Sequence, residues 1–153
     1  MNSYPSTIIV RHRRENLKKC SLRGLEKRTD CKFYRYPNLQ LPPAAGYIVL
    51  ALDAPVLTMD DADKGLLLLD ATWRYSGKML KWASKIPALI YRSLPDNLRT
   101  AYPRRQDDCS DPEKGLASVE ALYAAYRILD RPTEGLFDHY HWGSNFVELN
   151  YPS

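Results

Sequence analysis

The chain has 153 residues, 44% hydrophobic and 26% charged, a balance that argues against a disordered or fibrous protein and leaves room for one domain around one core. Its three cysteines, Cys20, Cys31 and Cys109, are odd in number and sit at no CxxC or histidine spacing, so neither a disulfide framework nor a zinc site is expected. The formal net charge of +4 is concentrated near the start, where residues 11–35 hold ten Lys and Arg, among them Arg11, Arg13, Arg14, Lys18 and Lys19, against Glu15, Glu26 and Asp30. Such a segment suits a polyanion or a solvated basic face.

Thr7–Val10 is β-branched and reads as a strand. Lys32–Tyr36 alternates and reads as a second short strand or an extended arm. Pro37, Pro42 and Pro43 then mark a boundary between a basic N-terminal subdomain, residues 1–45, and the remainder, residues 46–153. Tyr47–Leu52 reads as a buried strand, and Thr58 to Lys64 as a capped short helix. The four leucines of Leu66–Leu69 suit a buried parallel strand ending at Asp70. The spacing predicts a helix over 73–84 and a loop at Leu94-Pro95. Leu98–Tyr102 reads as a strand stopped by Pro103, and residues 104–115 as a polar loop. Ser118 is the expected N-cap of a helix carrying Val119, Leu122, Tyr123 and Tyr126 on one face. Gly135 opens a last element, with Leu136, Tyr140, Phe146 and Val147 at helical spacing.

Strands alternating with helices predict an α/β domain with a mostly parallel sheet and flanking helices. No apolar run approaches the roughly 20 residues of a membrane helix. Met1–Val10 lacks the basic and apolar regions of a signal peptide, so a cytoplasmic protein is expected. There is no GxGxxG, P-loop, HExxH or GxSxG. In a parallel sheet ligands bind beyond the carboxyl ends of the strands, which directs attention to the loops at 70–73, 94–95, 102–105 and 115–118. Asp70 is either a functional carboxylate or a turn cap there, and Trp73 either core or the wall of a ligand site. Arg104 and Arg105 suit phosphates or open solvent. Glu120 gains from the positive end of its helix with or without a ligand.

At these loops the chain resembles the small-subunit ribosomal RNA aminocarboxypropyltransferases. Six segments carry the resemblance in order: Lys19-Cys20-Ser21-Leu22-Arg23-Gly24-Leu25; Leu68-Leu69-Asp70-Ala71-Thr72-Trp73-Arg74; Arg92-Ser93-Leu94-Pro95; Leu98 to Pro103; Leu116-Ala117-Ser118-Val119-Glu120-Ala121; and His141-Trp142-Gly143 through Phe146 and Asn150. Asp70-x-Thr72-Trp73 also resembles the core of the DTW-domain transfer-RNA enzymes. Ala71 and Thr72 stand where the family has cysteine and serine, and Tyr102 stands where it has asparagine before the proline. The loop that follows carries Arg104, Arg105 and an acidic stretch in place of the family's sequence.

The resemblance implies a SPOUT-like fold with a C-terminal trefoil knot, a monomer, and S-adenosylmethionine as cofactor, without a metal. A uridine or pseudouridine base of ribosomal RNA would attack the cofactor's methionine Cγ and expel methylthioadenosine. Orientation alone selects that carbon over the methyl. The implied cofactor contacts are Ser21, Asp70, Thr72, Trp73, Leu94, Tyr102, Leu116, Ala117, Ser118 and Glu120, with Trp73 walling off the methyl and Ser118 holding the carboxylate. Asp70 is the nominated base, or else positions the cofactor. RNA would lie on Arg11, Arg13, Arg14, Lys18, Lys19, Arg104 and Arg105. The alternatives are the same transfer to transfer RNA, methyl transfer, and a basic RNA-binding or ribosome-assembly module without catalysis.

Overall fold

The structure, a computed structural model, describes residues 4–12, 21–37, 40–51, 53–70, 73–102 and 116–152, with the side chains of residues 73–76 excepted. Among the described residues five strands form one sheet: β1 (Thr7–His12), β2 (Cys31–Tyr36), β3 (Ile48–Leu50), β4 (Leu66–Asp70) and β5 (Ile90–Arg92). Every pairing is parallel, in the order β2-β1-β4-β3-β5. Among the described residues there are three α-helices: α1 (Trp73–Ala83), α2 (Ser118–Ile128) and α3 (Gly143–Asn150). None is long and apolar enough to cross a membrane. Because β1 lies between β2 and β4, residues on both sides of position 45 share this sheet.

The apolar runs follow from burial on both faces. Ile8, Ile9 and Val10 of β1 and Leu66, Leu67 and Leu68 of β4 are all buried. Strand alternation divides them. Ile8, Val10, Val49 and Leu67 pack with Met79 of α1. Ile9, Ile48, Leu66 and Leu68 pack with Val119, Leu122 and Tyr126 of α2 and Phe146 of α3. Helices therefore cover both sides of the sheet. The expected capped turn after Thr58 is a short 3-10 helix, Met59–Asp61, with Thr58 and Asp61 in a reciprocal capping box.

Two expected elements take another form. Leu98–Tyr102 is not a strand, because side chains of α2 and α3 take its backbone groups. Arg99 N–H donates to Asn150 Oδ1 at 2.8 Å, Asn150 Nδ2 donates to Arg99 O at 2.8 Å, and Ala101 N–H donates to Glu120 Oε2 at 2.8 Å. The last element is not helical from Gly135. Tight turns run through Asp138, Tyr140 and Gly143, each N–H bonded to the carbonyl three residues back. The helix starts only at Gly143, where a side chain would collide with Phe137, an added Cβ lying 2.6 Å from Phe137 Cβ.

At the amino end of the sheet, Asp30 joins four parts of the chain. Its carboxylate accepts from Tyr4 OH at 2.7 Å, from Arg28 Nε at 2.9 Å and from Tyr126 OH at 3.1 Å. The Tyr126 hydroxyl donates to Asp30, so Thr7 Oγ1, 2.7 Å away, donates to the Tyr126 oxygen. Arg28 also holds the carbonyls of Pro132 and Glu134. Burial pushes the Asp30 carboxyl up, but the hydrogen bonds of Arg28, Tyr4 and Tyr126 outweigh it and hold it at about 2. Beside it, burial and the Asp30 charge push the Cys31 thiol up to about 12, so this cysteine is an inert core residue. Asp30 is depressed in the folded state, so its stabilisation is complete above the ordinary value of 3.8 and is lost as pH falls toward 2. In urea denaturation, the stability gap between the wild type and Asp30→Asn should be constant near neutrality and shrink through that window. A gap that ignores pH there would show that the charge of Asp30 is not what stabilises this end.

Candidate functional site

The chain leaves β1 toward β2 on one side of the sheet and leaves β4 toward β5 on the other. These adjacent strands form a topological switch point, where a parallel sheet opens a crevice beyond its carboxyl ends. Their register sets Arg11 beside Asp70 at that point. Both follow the alternation of Ile9 and Leu68 and face α2.

Arg11 Nε donates to Asp70 Oδ2 at 3.2 Å, and Arg11 Nη1 donates to Glu26 Oε2 at 3.3 Å. The guanidinium lies over the Phe33 ring, 4.6 Å from its centre. The side chains of Arg11 and Asp70 are 11% and 4% exposed, so this pair is nearly dry. Glu26 is held in turn by Gly24 N–H at 2.8 Å, where Gly24 adopts a left-handed φ of 94°. Burial pushes the Glu26 carboxyl up, but these backbone bonds and the Arg11 charge bring it below its ordinary value.

Asp70 reaches α2 through its other oxygen, Oδ1, which accepts from Ser118 Oγ at 2.9 Å. Ser118 is therefore not the helix cap. Ala117 occupies the cap position and Ser118 is the first helical residue. The first turn leaves backbone N–H groups without intrahelical partners. One of them, Val119 N–H, is taken by Ser21 Oγ at 3.2 Å, from 98 positions earlier in the chain. Ser21, Asp70 and Ser118 are thus brought together around the N-terminus of α2. Because Ser118 gives its proton to an ion-paired carboxylate, its oxygen presents lone pairs to anything outside.

Glu120 has a different place from the one expected of it. It is fully buried, and both its oxygens are occupied within the chain. Oε1 accepts from Thr100 Oγ1 at 2.6 Å and Ala117 N–H at 2.8 Å, while Oε2 accepts from Ala101 N–H at 2.8 Å and Tyr140 OH at 3.0 Å. These bonds make Glu120 an organiser of the segments at Thr100, Ala101 and Tyr140 around the start of α2. The legible signal was its position: a glutamate at the third helical residue reaches back to the cap N–H.

The other nominated residues divide by location. Tyr102 is half-buried with its ring stacked near-parallel on Tyr140, 6.5 Å between centres. Leu94 and Leu116 pack on the α2-side core, and Ala117 is buried within it. Leu94 lies two residues past β5, in a segment fixed by Ser93 N–H to Pro55 O and by the Arg92–Asp61 ion pair at 3.2 Å. Arg11, expected on a basic outer face, is enclosed, because two carboxylates and an aromatic ring claim its guanidinium. Thr72, Arg13, Arg14, Lys18, Lys19, Arg104 and Arg105 lie outside the described residues, as does the side chain of Trp73. Among the described residues no group of three His, Cys, Asp or Glu could hold a metal ion.

Glu120→Gln should destabilise the protein by on the order of 3 kcal/mol, because an amide turns its NH2 toward donors that need an acceptor. The midpoint of chemical denaturation checks this, and a neutral outcome would mean that the four bonds carry little net energy.

No protein-family model matches the chain, and no curated protein matches it in sequence. A solved structure does match in fold: the SAM-dependent rRNA:acp-transferase Tsr3 from Vulcanisaeta distributa, with a TM-score of 0.72 and 22% sequence identity, over 95% of this chain and 78% of that one. At that identity the likeness is one of fold: the five-stranded parallel sheet and its helices are arranged as in that transferase.

Proposed function

We propose that this chain transfers the 3-amino-3-carboxypropyl group of S-adenosylmethionine to a uridine or pseudouridine base of ribosomal RNA. The observation that carries the reading is the cluster of Ser21, Asp70 and Ser118 at the switch point of a sheet whose fold is shared with an rRNA acp-transferase. The donor set fits an amino-acid moiety. The N-terminus of α2, with its positive dipole end, suits a carboxylate. The outward lone pairs of Ser118 Oγ suit an ammonium group, a refinement of the carboxylate role that the resemblance implies for that hydroxyl. When bound, S-adenosylmethionine supplies a carbon activated by the neighbouring sulfonium.

In this reading Asp70 orients Ser118 instead of serving as base, since Arg11 and Ser118 engage its two oxygens. Tyr102, Leu94, Leu116 and Ala117 form the adenosine side through backbone groups, while Glu120 fixes the loop that carries Tyr102. Thr72 and Trp73 follow Asp70 directly, and Trp73 shields the methyl from attack. The basic N-terminal segment is the RNA side, with Arg13, Arg14, Lys18 and Lys19 on phosphates, and Arg104 and Arg105 are further phosphate contacts. The SPOUT-like classification, the C-terminal trefoil knot, the monomeric state and a cytoplasmic location belong to the same proposal.

Calorimetric titration of the purified protein with S-adenosylmethionine should give a Kd of about 1 μM or tighter, corresponding to roughly 8 kcal/mol. Added ribosomal RNA should then release methylthioadenosine; adenosylhomocysteine instead would mean methyl transfer. Trp73→Ala should weaken cofactor binding in a protein that stays folded. Replacing Arg13, Arg14, Lys18 and Lys19 by Ala should lower RNA affinity and its salt dependence, by about 0.9 in log–log slope per lost phosphate contact, and leave cofactor affinity unchanged. Absence of cofactor binding in folded protein would replace this reading by that of a non-catalytic RNA-binding module.

A further inference from the structure

Building on the transferase reading, we infer that Arg11 is a positioning residue for the cofactor's amino group, acting through Asp70 on Ser118, and not an RNA contact. Among the described residues, three separate parts of the chain hold its guanidinium. Asp70 at the end of β4 takes Nε at 3.2 Å, Glu26 in the 3-10 turn Leu25–Lys27 takes Nη1 at 3.3 Å, and Phe33 of β2 lies beneath it at 4.6 Å. The Nε and Nη1 of Arg11 are engaged by carboxylates inside the fold and its side chain is only 11% exposed, so it is not presented to a phosphate on the outer surface.

The consequence runs through hydrogen-bond direction. Arg11 occupies Asp70 Oδ2, which leaves Oδ1 turned to α2, where Ser118 Oγ lies at 2.9 Å. An ionised carboxylate only accepts, so the Ser118 proton points inward and its lone pairs point out. The ligand group that completes this chain is an N–H donor, and on an amino acid that is the primary ammonium. Loss of the guanidinium would remove the bond on Oδ2 that helps set which way Oδ1, and with it the Ser118 hydroxyl, is turned. Lysine cannot replace the guanidinium here. A point ammonium lacks the flat face for Phe33 and the fork that serves Asp70 and Glu26 at once.

The test is a double-mutant cycle on cofactor affinity, using Arg11→Lys, Ser118→Ala and the pair, with calorimetric titration of S-adenosylmethionine and salt-dependent RNA binding measured on each protein. Arg11→Lys should weaken cofactor binding roughly tenfold or more, the worth of one charge-assisted hydrogen bond. In the Ser118→Ala background it should cost nothing further, and RNA affinity and its salt slope should not change. Additive losses would overturn the inference, because Arg11 would then act independently of Ser118. So would unchanged cofactor affinity with a salt slope lowered by one phosphate contact. If Arg11→Lys unfolds, Glu26→Gln removes one anchor of the guanidinium and should give a smaller loss with the same dependence on Ser118; a loss independent of Ser118 again overturns the inference. A folded wild type without cofactor affinity refutes the transferase reading and this assignment with it, whereas a binding wild type with an indifferent Arg11→Lys refutes the assignment alone.

Discussion

A carboxylate removed from water must find donors inside the protein, and the C-terminal half of this structure is arranged around one that has. Glu120 sits fully buried at the start of α2 with two donors on each oxygen. Those donors come from Thr100 and Ala101, from the helix cap, and from the turn that precedes α3. Leaving any of them unpaired in the interior would cost more than the bond itself contributes. The start of α2, the backbone at Thr100 and Ala101, and Tyr140 are therefore positioned together. Asn150 of α3 completes the arrangement by accepting from and donating to the Arg99 backbone.

With α2 fixed in this way, its first residue meets the end of β4. Glu26, Arg11, Asp70 and Ser118 make a chain of alternating donors and acceptors from an exposed carboxylate to a helix N-terminus. Each member is oriented by the one before it, as far back as Gly24 N–H on Glu26. A basic residue that a charge count assigns to the outer surface thus becomes an internal brace. The parallel register of β1 and β4 makes this arrangement possible, because it sets Arg11 beside Asp70 where the two strands diverge.

The opposite end of the sheet carries the comparable network around Asp30, which ties Tyr4, Arg28 and Tyr126 to the entry of β2. Its role is mechanical. It closes the end of the sheet away from the crevice, and Cys31 beside it is a buried thiol without chemistry.

What the sequence by itself determined is the α/β class and most of the sheet. Runs such as Leu66–Leu69 carry their burial on both faces in their composition, and the capped turn after Thr58 is a local hydrogen-bond pattern. The parallel-sheet pattern directed attention to the chain beyond the strand ends, and the fold brings Asp70 and Ser118 together there. Only the tertiary structure decided how polar groups are matched across long separations. Leu98–Tyr102 has the pattern of a strand, yet Glu120 and Asn150 take its backbone groups. Ser118 has the position of a cap, yet Asp70 takes its proton and Ser21 does the capping. Arg11 has the charge of an RNA contact, yet two carboxylates surround it. Periodicity and propensity report on neighbours within a few residues, whereas a buried donor or acceptor is satisfied by whichever group the fold brings near, here as far as 119 positions away.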